Sequence, residues 1–301
     1  MVARDPAEHG PDDAAPGVSE RERFMDLHPL GIMAGMPAGG HASSGYLVRD
    51  DGITLQLDAG PGTALRLGTV IGADLPDAVA ITHLHSDHVY DLLPLGKLLL
   101  GRRLRRTDES AQLEIDESVP RTPLFVPRGA TGVLRSLAGL FPVTTHPLLD
   151  RAFDVAFDVH EYEPGETVAV GHLSVRFELL RHAAPNCGVR VESGPASLVY
   201  TGDTGVTDAL PVLAAGTGLL LSECTLRETD RSGHGHLSSR DAGRAAADAG
   251  VAELVLTHFS STDRLDLEWH RERAAGEFAG PVRIADPGHR IPVVPTRKVS
   301  A

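Results

Sequence analysis

One short segment of the chain concentrates side chains that bind metal ions. It is Thr82-His83-Leu84-His85-Ser86-Asp87-His88, whose four potential ligands follow the order H-x-H-x-D-H. Imidazole nitrogens and carboxylate oxygens suit zinc and other first-row divalent metals. The apolar run Ala78-Val79-Ala80-Ile81-Thr82 comes before it and is typical of a buried strand. Because a rigid strand end holds ligands without first ordering a flexible loop, we predict metal binding here.

Further potential ligands follow strands later in the chain. Apolar strands are predicted at Ser197–Tyr200, Gly218–Leu221 and Val251–Thr257, and polar residues with metal-binding side chains follow each of them: Asp203, Glu223 and His258. Strand ends of layered α/β folds gather at one edge, so we expect a single site. With His182, the predicted metal ligands are His83, His85, Asp87, His88, His182, Asp203 and His258. Seven ligands, one of them a bridging carboxylate, suit a two-metal centre that activates water for hydrolysis.

Other local patterns predict the elements that position these residues. A hairpin is expected where Tyr46–Val48 and Ile53–Leu57 flank Asp50-Asp51-Gly52, with a tight turn over Asp58–Gly62. The pattern of Val89–Leu100 predicts an apolar helix. A later helix is capped by Ser238 or Ser239, stops at Gly250 and has one apolar face: Ala242, Ala245, Ala246 and Ala249.

Length and composition favour one catalytic domain. The chain has 301 residues, of which 42% are hydrophobic, and residues 24–301 are assigned to a single domain. Residues 1–23 are rich in Asp, Glu, Pro, Ala and Gly and are predicted to form a disordered acidic tail. Residues 101–123 combine an arginine cluster with an acidic stretch and form either an exposed insertion or a lid over the site.

Charge and hydropathy exclude some classes of partner. The net charge of -13 disfavours nucleic acid, which normally selects a basic surface. A small anionic substrate is still compatible, because bound divalent metals dominate the local field. Neither a membrane-spanning run nor a secretory signal is apparent, and two cysteines provide no disulfide framework. A cytoplasmic protein is therefore expected.

The succession of metal motifs resembles the metallo-β-lactamase superfamily, and within it the ribonuclease Z-like phosphodiesterase branch. The first motif is Thr82–His88, which we call the histidine–aspartate segment. The later motifs are His182 followed by Gly188, Asp203 in Thr-Gly-Asp-Thr and His258 in Leu-Thr-His-Phe-Ser. Four further segments resemble motifs of that branch: Gly39–Gly45, Leu57–Gly62, Leu221-Ser222-Glu223-Cys224-Thr225 and Gly235-His236-Leu237-Ser238. The resemblance extends from about Pro29 to Val294.

This resemblance implies an α/β fold, the four-layer αββα sandwich, with two divalent metal ions at one edge. Zn²⁺ is the expected metal, and the ligand types also suit Mn²⁺ or Fe. It implies that His83, His85 and His182 hold one metal, that Asp87, His88 and His258 hold the other, and that Asp203 bridges them. The implied catalytic set is Asp87, His236 and Glu223, with His236 as general acid oriented by Glu223. It also suggests a homodimer.

Departures from the family pattern bear on the substrate. In ribonuclease Z a long arm that grips transfer RNA lies between the third and fourth motifs, but here His182 and Asp203 are only 21 residues apart. The leading hypothesis is therefore a phosphodiesterase for a small phosphodiester, such as a cyclic nucleotide. The alternatives are hydrolysis of a lactone, thioester or sulfate ester, transfer-RNA 3′ processing, and a non-catalytic metal-binding protein. His234 lies close enough to His236 to be the acid instead.

Overall fold

The computed structural model describes residues 25–72, 75–106, 113–144 and 146–295. The acidic tail predicted over residues 1–23 lies outside the described residues. Within them, two large mixed sheets pack face to face and helices cover both outer faces. No helix in these ranges is both long enough and apolar enough to cross a bilayer.

The first sheet is built mainly from the N-terminal half of the chain. Its strands and a separate hairpin are β1 (Asp26–Met33), β2 (Ala42–Ser43), β3 (Gly45–Asp50), β4 (Ile53–Leu57), β5 (Ala78–Ala80), β6 (Leu104–Arg106), β7 (Leu113–Ile115), β8 (Thr122–Pro127) and β9 (Phe157–Tyr162). The order across the sheet is β1-β3-β4-β5-β8-β9, with β2 paired to β1 and β6 paired only to β7. From β4 to β9 the strands are parallel, so their carboxyl ends share one edge.

The second sheet follows in the C-terminal half. It contains β10 (Thr167–Val170), β11 (Leu173–Leu180), β12 (Asn186–Ser193), β13 (Ala196–Tyr200), β14 (Leu219–Glu223), β15 (Leu254–Thr257) and β16 (Val282–Ile284), in that order across the sheet. The pairs from β10 to β13 are antiparallel and those from β13 to β16 are parallel. The last strand, β17 (Ile291–Pro292), returns to the first sheet and pairs with β1.

Helices cover each sheet on its outer face. On the first sheet lie α1 (Thr63–Ile71), α2 (Ser86–Val89), α3 (Leu92–Arg102), α4 (Ala130–Gly139) and α5 (Ala152–Val155); on the second lie α6 (Ala209–Ala214), α7 (Ser239–Ala249) and α8 (Arg264–Ala275). As predicted, Ser238 caps α7 and forms a reciprocal capping box with Asp241, and the helix stops before Gly250, which is in the left-handed conformation.

Alternation along the strands produces the layers. In β3, Tyr46 and Val48 belong to the core between the sheets, whereas Leu47 packs with the helices outside. The rings of Tyr162 and Phe177 stack across the two sheets with centroids 3.8 Å apart. The resulting order of layers is helix, sheet, sheet, helix, which confirms the predicted αββα sandwich.

The helix predicted over Val89–Leu100 is wrong at its start. The short α2 ends at Val89, and α3 begins at Leu92 after a break. Pro94 explains the break, because proline lacks an N–H and is tolerated only in the first turn of a helix. This places Asp87 and His88 on the single turn of α2, separate from α3.

Residues 101–123 begin in the last turn of α3 and continue through the β6–β7 hairpin into β8. The side chain of Arg103 ties this region to the body of the domain, since it donates to the carbonyl oxygens of Val119 and Val155. Thr122 bonds to Ala156 at the start of β8, which is the opposite end of the strand from its carboxyl end. The described residues of this segment therefore pack at the amino ends of the strands, and their service as a lid stays a prediction.

Candidate metal centre

All seven predicted ligands meet at one edge of the sandwich. The histidine–aspartate segment follows β5, and His182, Asp203 and His258 follow β11, β13 and β15. They form two clusters, in each of which one candidate ligand atom per residue lies within 4.8 Å of the others. The first cluster is His83, His85, His182 and Asp203, and the second cluster is Asp87, His88, Asp203 and His258. Loops far apart in sequence are thus combined into two adjacent clusters.

Asp203 belongs to both groups and offers a different oxygen to each. Its Oδ2 lies 3.6 Å from His83 Nε2 and 3.9 Å from His182 Nε2. Its Oδ1 lies 3.3 Å from the Nε2 atoms of His88 and His258. A carboxylate with one oxygen toward each cluster has the geometry of a bridge between two cations.

The spacing of the ligand atoms suits a tetrahedral ion. Nitrogens bonded to one Zn²⁺ at about 2.0–2.1 Å lie about 3.3 Å from each other. His85 Nδ1 and His182 Nε2 are 3.2 Å apart, and His258 Nε2 and Asp87 Oδ2 are 3.3 Å apart. Within the described residues, three buried atoms here have no hydrogen-bond partner, namely His83 Nε2, His88 Nε2 and Asp203 Oδ1. Such orphaned atoms are rare in folded proteins, and a divalent cation in each cluster would satisfy them.

Burial and the neighbouring carboxylates act in opposite directions on the pKa values of the histidines in the site. Burial lowers the pKa of His83 well below its usual value, which leaves a neutral imidazole able to bind metal. Burial acts the same way on His88, but the carboxylates of Asp203 and Asp58 outweigh it and raise the pKa of His88 well above its usual value. A field that holds a proton there equally attracts a divalent cation, which competes with protons for the same nitrogen.

The ring nitrogens that face away from the clusters are held by hydrogen bonds. His83 Nδ1 lies 3.1 Å from Thr82 Oγ1, and His88 Nδ1 lies 2.6 Å from Asp58 Oδ2. His182 Nδ1 donates to the carbonyl oxygen of Gly235 over 2.9 Å. His258 Nδ1 lies 2.8 Å from Thr225 Oγ1. Partners of this kind place the proton on Nδ1 and direct Nε2 into the cluster, as a metal ligand requires.

Asp58 is fully buried behind the second cluster, in the turn predicted after β4. It accepts hydrogen bonds from Thr82 N and from the Tyr200 hydroxyl, each over 2.8 Å, in addition to its contact with His88. Its φ of 57° and that of His258, 59°, are left-handed, which is uncommon outside glycine. Strained backbone of this kind collects at functional sites, where surrounding contacts hold it in place.

The backbone under the ligand segment is closely packed. A Cβ on Gly60 would lie 1.9 Å from the Asp87 carbonyl oxygen, so only glycine fits at this point of the turn. From the other side, Gly35 N donates to Asp87 Oδ2 over 2.8 Å. Gly35, Tyr200 and Thr225 were not among the predicted site residues. Tyr200 directly precedes the Thr-Gly-Asp-Thr motif and Thr225 ends the Leu221–Thr225 motif, and these positions were the available signal.

A buried carboxylate orients the predicted general acid. Glu223 Oε1 lies 2.8 Å from His236 Nδ1, and Glu223 is fully buried. The His236 ring lies beside both clusters, with its centroid 5.1 Å from that of His182 and 5.8 Å from that of His258. Burial by itself lowers the pKa of His236, but the hydrogen bond and charge of Glu223 outweigh it, so that the pKa is raised. His234 lies on the exposed part of the same loop.

These features define an αββα sandwich with two adjacent clusters of candidate metal ligands at one edge. Residues 55–259 match the family model described as the β-lactamase superfamily domain. The chain therefore belongs to this superfamily and has the metallo-β-lactamase fold, as the motifs predicted.

Individual relatives agree with this assignment. A probable metallo-hydrolase of Bacillus subtilis, YhfI, is 27% identical over 88% of this chain and 98% of its own length. The crystal structure of YhfI superposes with a TM-score of 0.74 at 25% identity and covers 90% of this chain and 99% of that one. A protein of Mycobacterium sp. (strain KMS) named ribonuclease Z is 31% identical over 90% of this chain and 97% of its own. The short form of human tRNase Z shares the fold, with a TM-score of 0.67 at 22% identity, over 90% of this chain and all (100%) of that one.

Proposed function

We propose that this protein is a binuclear phosphodiesterase that acts on a small phosphodiester such as a cyclic nucleotide. The observation that carries the proposal is His236, held by Glu223 at 2.8 Å beside two clusters that share Asp203. In the proposed centre, one cation would be held by His83, His85 and His182 and the other by Asp87, His88 and His258. Asp203, which belongs to both clusters, would contribute to both sites. A relative named ribonuclease Z supports phosphodiester chemistry, because RNA is a phosphodiester.

The chain itself supplies the proton for the leaving group. Two bound divalent ions, which we propose to be Zn²⁺ with Mn²⁺ or Fe as alternatives, would lower the pKa of water and neutralise charge on phosphoryl oxygens. His236 donates its Nδ1 proton in the hydrogen bond to Glu223, so that Nε2 faces the leaving oxygen. Its raised pKa keeps Nε2 protonated closer to neutral pH, as a general acid requires. Glu223 stabilises the charged imidazolium and maintains its orientation.

The interval between two ligands supports a small substrate. The chain from His182 to Asp203 is occupied by β12 and β13, which are joined only by Gly194 and Pro195. In this chain the β12–β13 hairpin lies at the position in the sequence where ribonuclease Z has its arm for transfer RNA. The net charge of -13 also disfavours a long polyanion. The mycobacterial relative named ribonuclease Z makes transfer-RNA 3′ processing the second candidate.

The test combines metal analysis of the purified full-length chain with a hydrolysis panel. The panel holds aryl phosphodiesters, cyclic nucleotides, a precursor transfer RNA, lactones, thioesters and an aryl sulfate. We expect two metal ions per chain and turnover of small phosphodiesters. Asp203→Ala should abolish that turnover, whereas Asp208→Ala, at an exposed aspartate later in the same loop after β13, should retain it.

Other outcomes identify the alternatives. Selective hydrolysis of a lactone, thioester or sulfate ester would change the electrophile but keep the centre. Cleavage of precursor transfer RNA alone would favour the second candidate. Full metal occupancy without any turnover would support a non-catalytic metal-binding protein. The homodimer and the cytoplasmic location stay predictions, and light scattering of the purified chain tests the first of them.

A further inference from the structure

One threonine hydroxyl stands between a metal cluster and the general acid. Thr225 Oγ1 lies 2.8 Å from His258 Nδ1 and 2.7 Å from Glu223 Oε2. Glu223 Oε1 in turn lies 2.8 Å from His236 Nδ1. A continuous line of hydrogen bonds therefore runs from His258, in the second cluster, through Thr225 and Glu223 to His236.

The direction of each hydrogen bond follows from the available protons. His258 Nε2 faces the second cluster, 3.3 Å from Asp87 and from Asp203, and needs a free lone pair to bind a cation there. In the metal-bound form its proton is therefore on Nδ1 and is donated to Thr225. The threonine hydroxyl has one proton to give. Glu223 Oε2 at 2.7 Å is a closer and charged acceptor, whereas the His258 carbonyl oxygen is 3.1 Å away and neutral. The hydroxyl thus accepts from the histidine and donates to the carboxylate.

Strand pairing places the threonine at this position. Glu223 pairs with Thr257 in the parallel register of β14 and β15, and Cys224 N donates to the Thr257 carbonyl oxygen over 3.1 Å. Thr225 therefore emerges beside His258, the residue that follows Thr257. Because His258 adopts a left-handed φ of 59°, contacts from outside its own backbone are needed to hold its ring.

We propose that Thr225 is a positioning residue that couples the second cluster to the general acid. Its hydroxyl orients His258 as a ligand and, at the same time, orients the carboxylate that holds His236. Removing this hydroxyl should weaken metal binding and proton donation together. The inference rests on the proposed function above, since it assigns a role within that same site.

The first experiment measures metal binding rather than activity. The apo form of the full-length chain is titrated with Zn²⁺ against a competing chelator. Thr225→Val keeps the shape of the side chain and removes the hydroxyl, and we expect about 10- to 100-fold weaker binding of one of the two Zn²⁺ equivalents, the one held at the cluster that contains His258. Binding of the other equivalent should not change, which also reports that the variant is folded. Thr225→Ser restores the hydroxyl and should restore the affinity.

A matched control is available on the same loop. Thr229 Oγ1 donates to Asp241 Oδ1 over 2.8 Å, which is also a threonine–carboxylate hydrogen bond, but it connects to neither cluster. Thr229→Val should leave both Zn²⁺ affinities as they are in the natural sequence. If Thr225→Val behaves like Thr229→Val, the hydroxyl does not orient His258 and the inference is overturned.

The second experiment tests the link to His236. Phosphodiesters with a poor alkyl leaving group need a proton donor, whereas those with a good aryl leaving group need it far less. At saturating Zn²⁺, Thr225→Val and His236→Ala should both lower kcat more for alkyl than for aryl substrates, with smaller changes in KM. If His236→Ala lowers kcat equally for alkyl and aryl substrates, the proposed acid is wrong. If His236→Ala lowers kcat more for alkyl substrates but Thr225→Val does not, the acid is supported and the role of Thr225 is refuted.

Discussion

Asp58 and His88 form a 2.6 Å hydrogen bond between two fully buried side chains that are 30 residues apart in sequence. Asp58 Oδ2 also accepts from the Tyr200 hydroxyl on the second sheet, over 2.8 Å. One carboxylate from the first sheet thus holds a predicted ligand and is itself held from the opposite sheet. Ligand orientation in this centre consequently depends on how the two sheets pack.

The first prediction concerns this carboxylate. Asp58→Ala should weaken Zn²⁺ binding at the cluster that contains His88 by about 10- to 100-fold, because the imidazole loses the partner that fixes its proton and ring orientation. Titration of the apo protein against a chelator measures the change. Asp50→Ala is the control, since Asp50 makes a similar contact with His172 over 2.9 Å but lies at the end of β3 away from the clusters. Equal affinities in both variants would contradict the proposed role of Asp58.

The second prediction separates the two histidines of the loop after β14. His236→Gln should lower kcat for an alkyl phosphodiester by about 100-fold or more, the range of general acid catalysis, because Glu223 then orients no proton donor. His234→Gln should change it far less, since His234 lies on the exposed part of the loop. Steady-state kinetics at saturating metal provide the comparison. The reverse ranking would assign the acid to His234.

The third prediction concerns the packing beneath the ligand segment. Gly60→Ala should destabilise the protein by about 1–3 kcal/mol, because a Cβ there would lie 1.9 Å from the Asp87 carbonyl oxygen and force the backbone apart. It should also weaken metal binding, since Asp87 belongs to that backbone. The control is Gly68→Ala, which meets open space within α1 and should stabilise the helix by about 0.5–1 kcal/mol. Urea unfolding of the apo forms measures both.

The fourth prediction is a pH dependence of stability away from the metal centre. Glu161, on β9, accepts hydrogen bonds from Gly129 N and Thr131 N over 2.9 and 2.8 Å and so caps α4 from outside the helix. Hydrogen bonding by the Thr131 side chain and by these backbone N–H groups lowers the pKa of Glu161 from 4.5 to about 2. A depressed pKa in the folded state stabilises the protein above the unfolded-state value, and this contribution is lost as the pH falls through the folded-state value.

The corresponding measurement compares the natural chain with Glu161→Gln in the apo form. The difference in the free energy of unfolding should be largest above about pH 5 and should shrink as the pH falls from 4.5 toward 2. Urea unfolding at a series of pH values gives this difference. A difference that stays constant down to pH 2 would mean that the charge of Glu161 does not stabilise α4.

Much of the architecture could be predicted because it depends on local patterns. The turn residues between β3 and β4 predicted their hairpin, and the Ser238 cap with Gly250 predicted α7. Apolar runs that are followed by histidine or aspartate predicted which loops would lie at the edge of the sandwich that carries the predicted ligands. Parallel strands must align their carboxyl ends, so this inference needed only the order of the strands. The apolar pattern alone predicted no break before α3, whereas Pro94 requires the helix to begin within one turn before it.

The arrangement of the centre was decided by the tertiary structure. The residue types alone indicated seven ligands, and the family resemblance divided them between two metals. Only packing of the two sheets directs the two oxygens of Asp203 to different clusters and brings Thr225 between His258 and Glu223. Hydrogen bonds across 142 residues, such as that from Tyr200 to Asp58, have no local signature. They depend on strand register and sheet packing, which are properties of the whole chain.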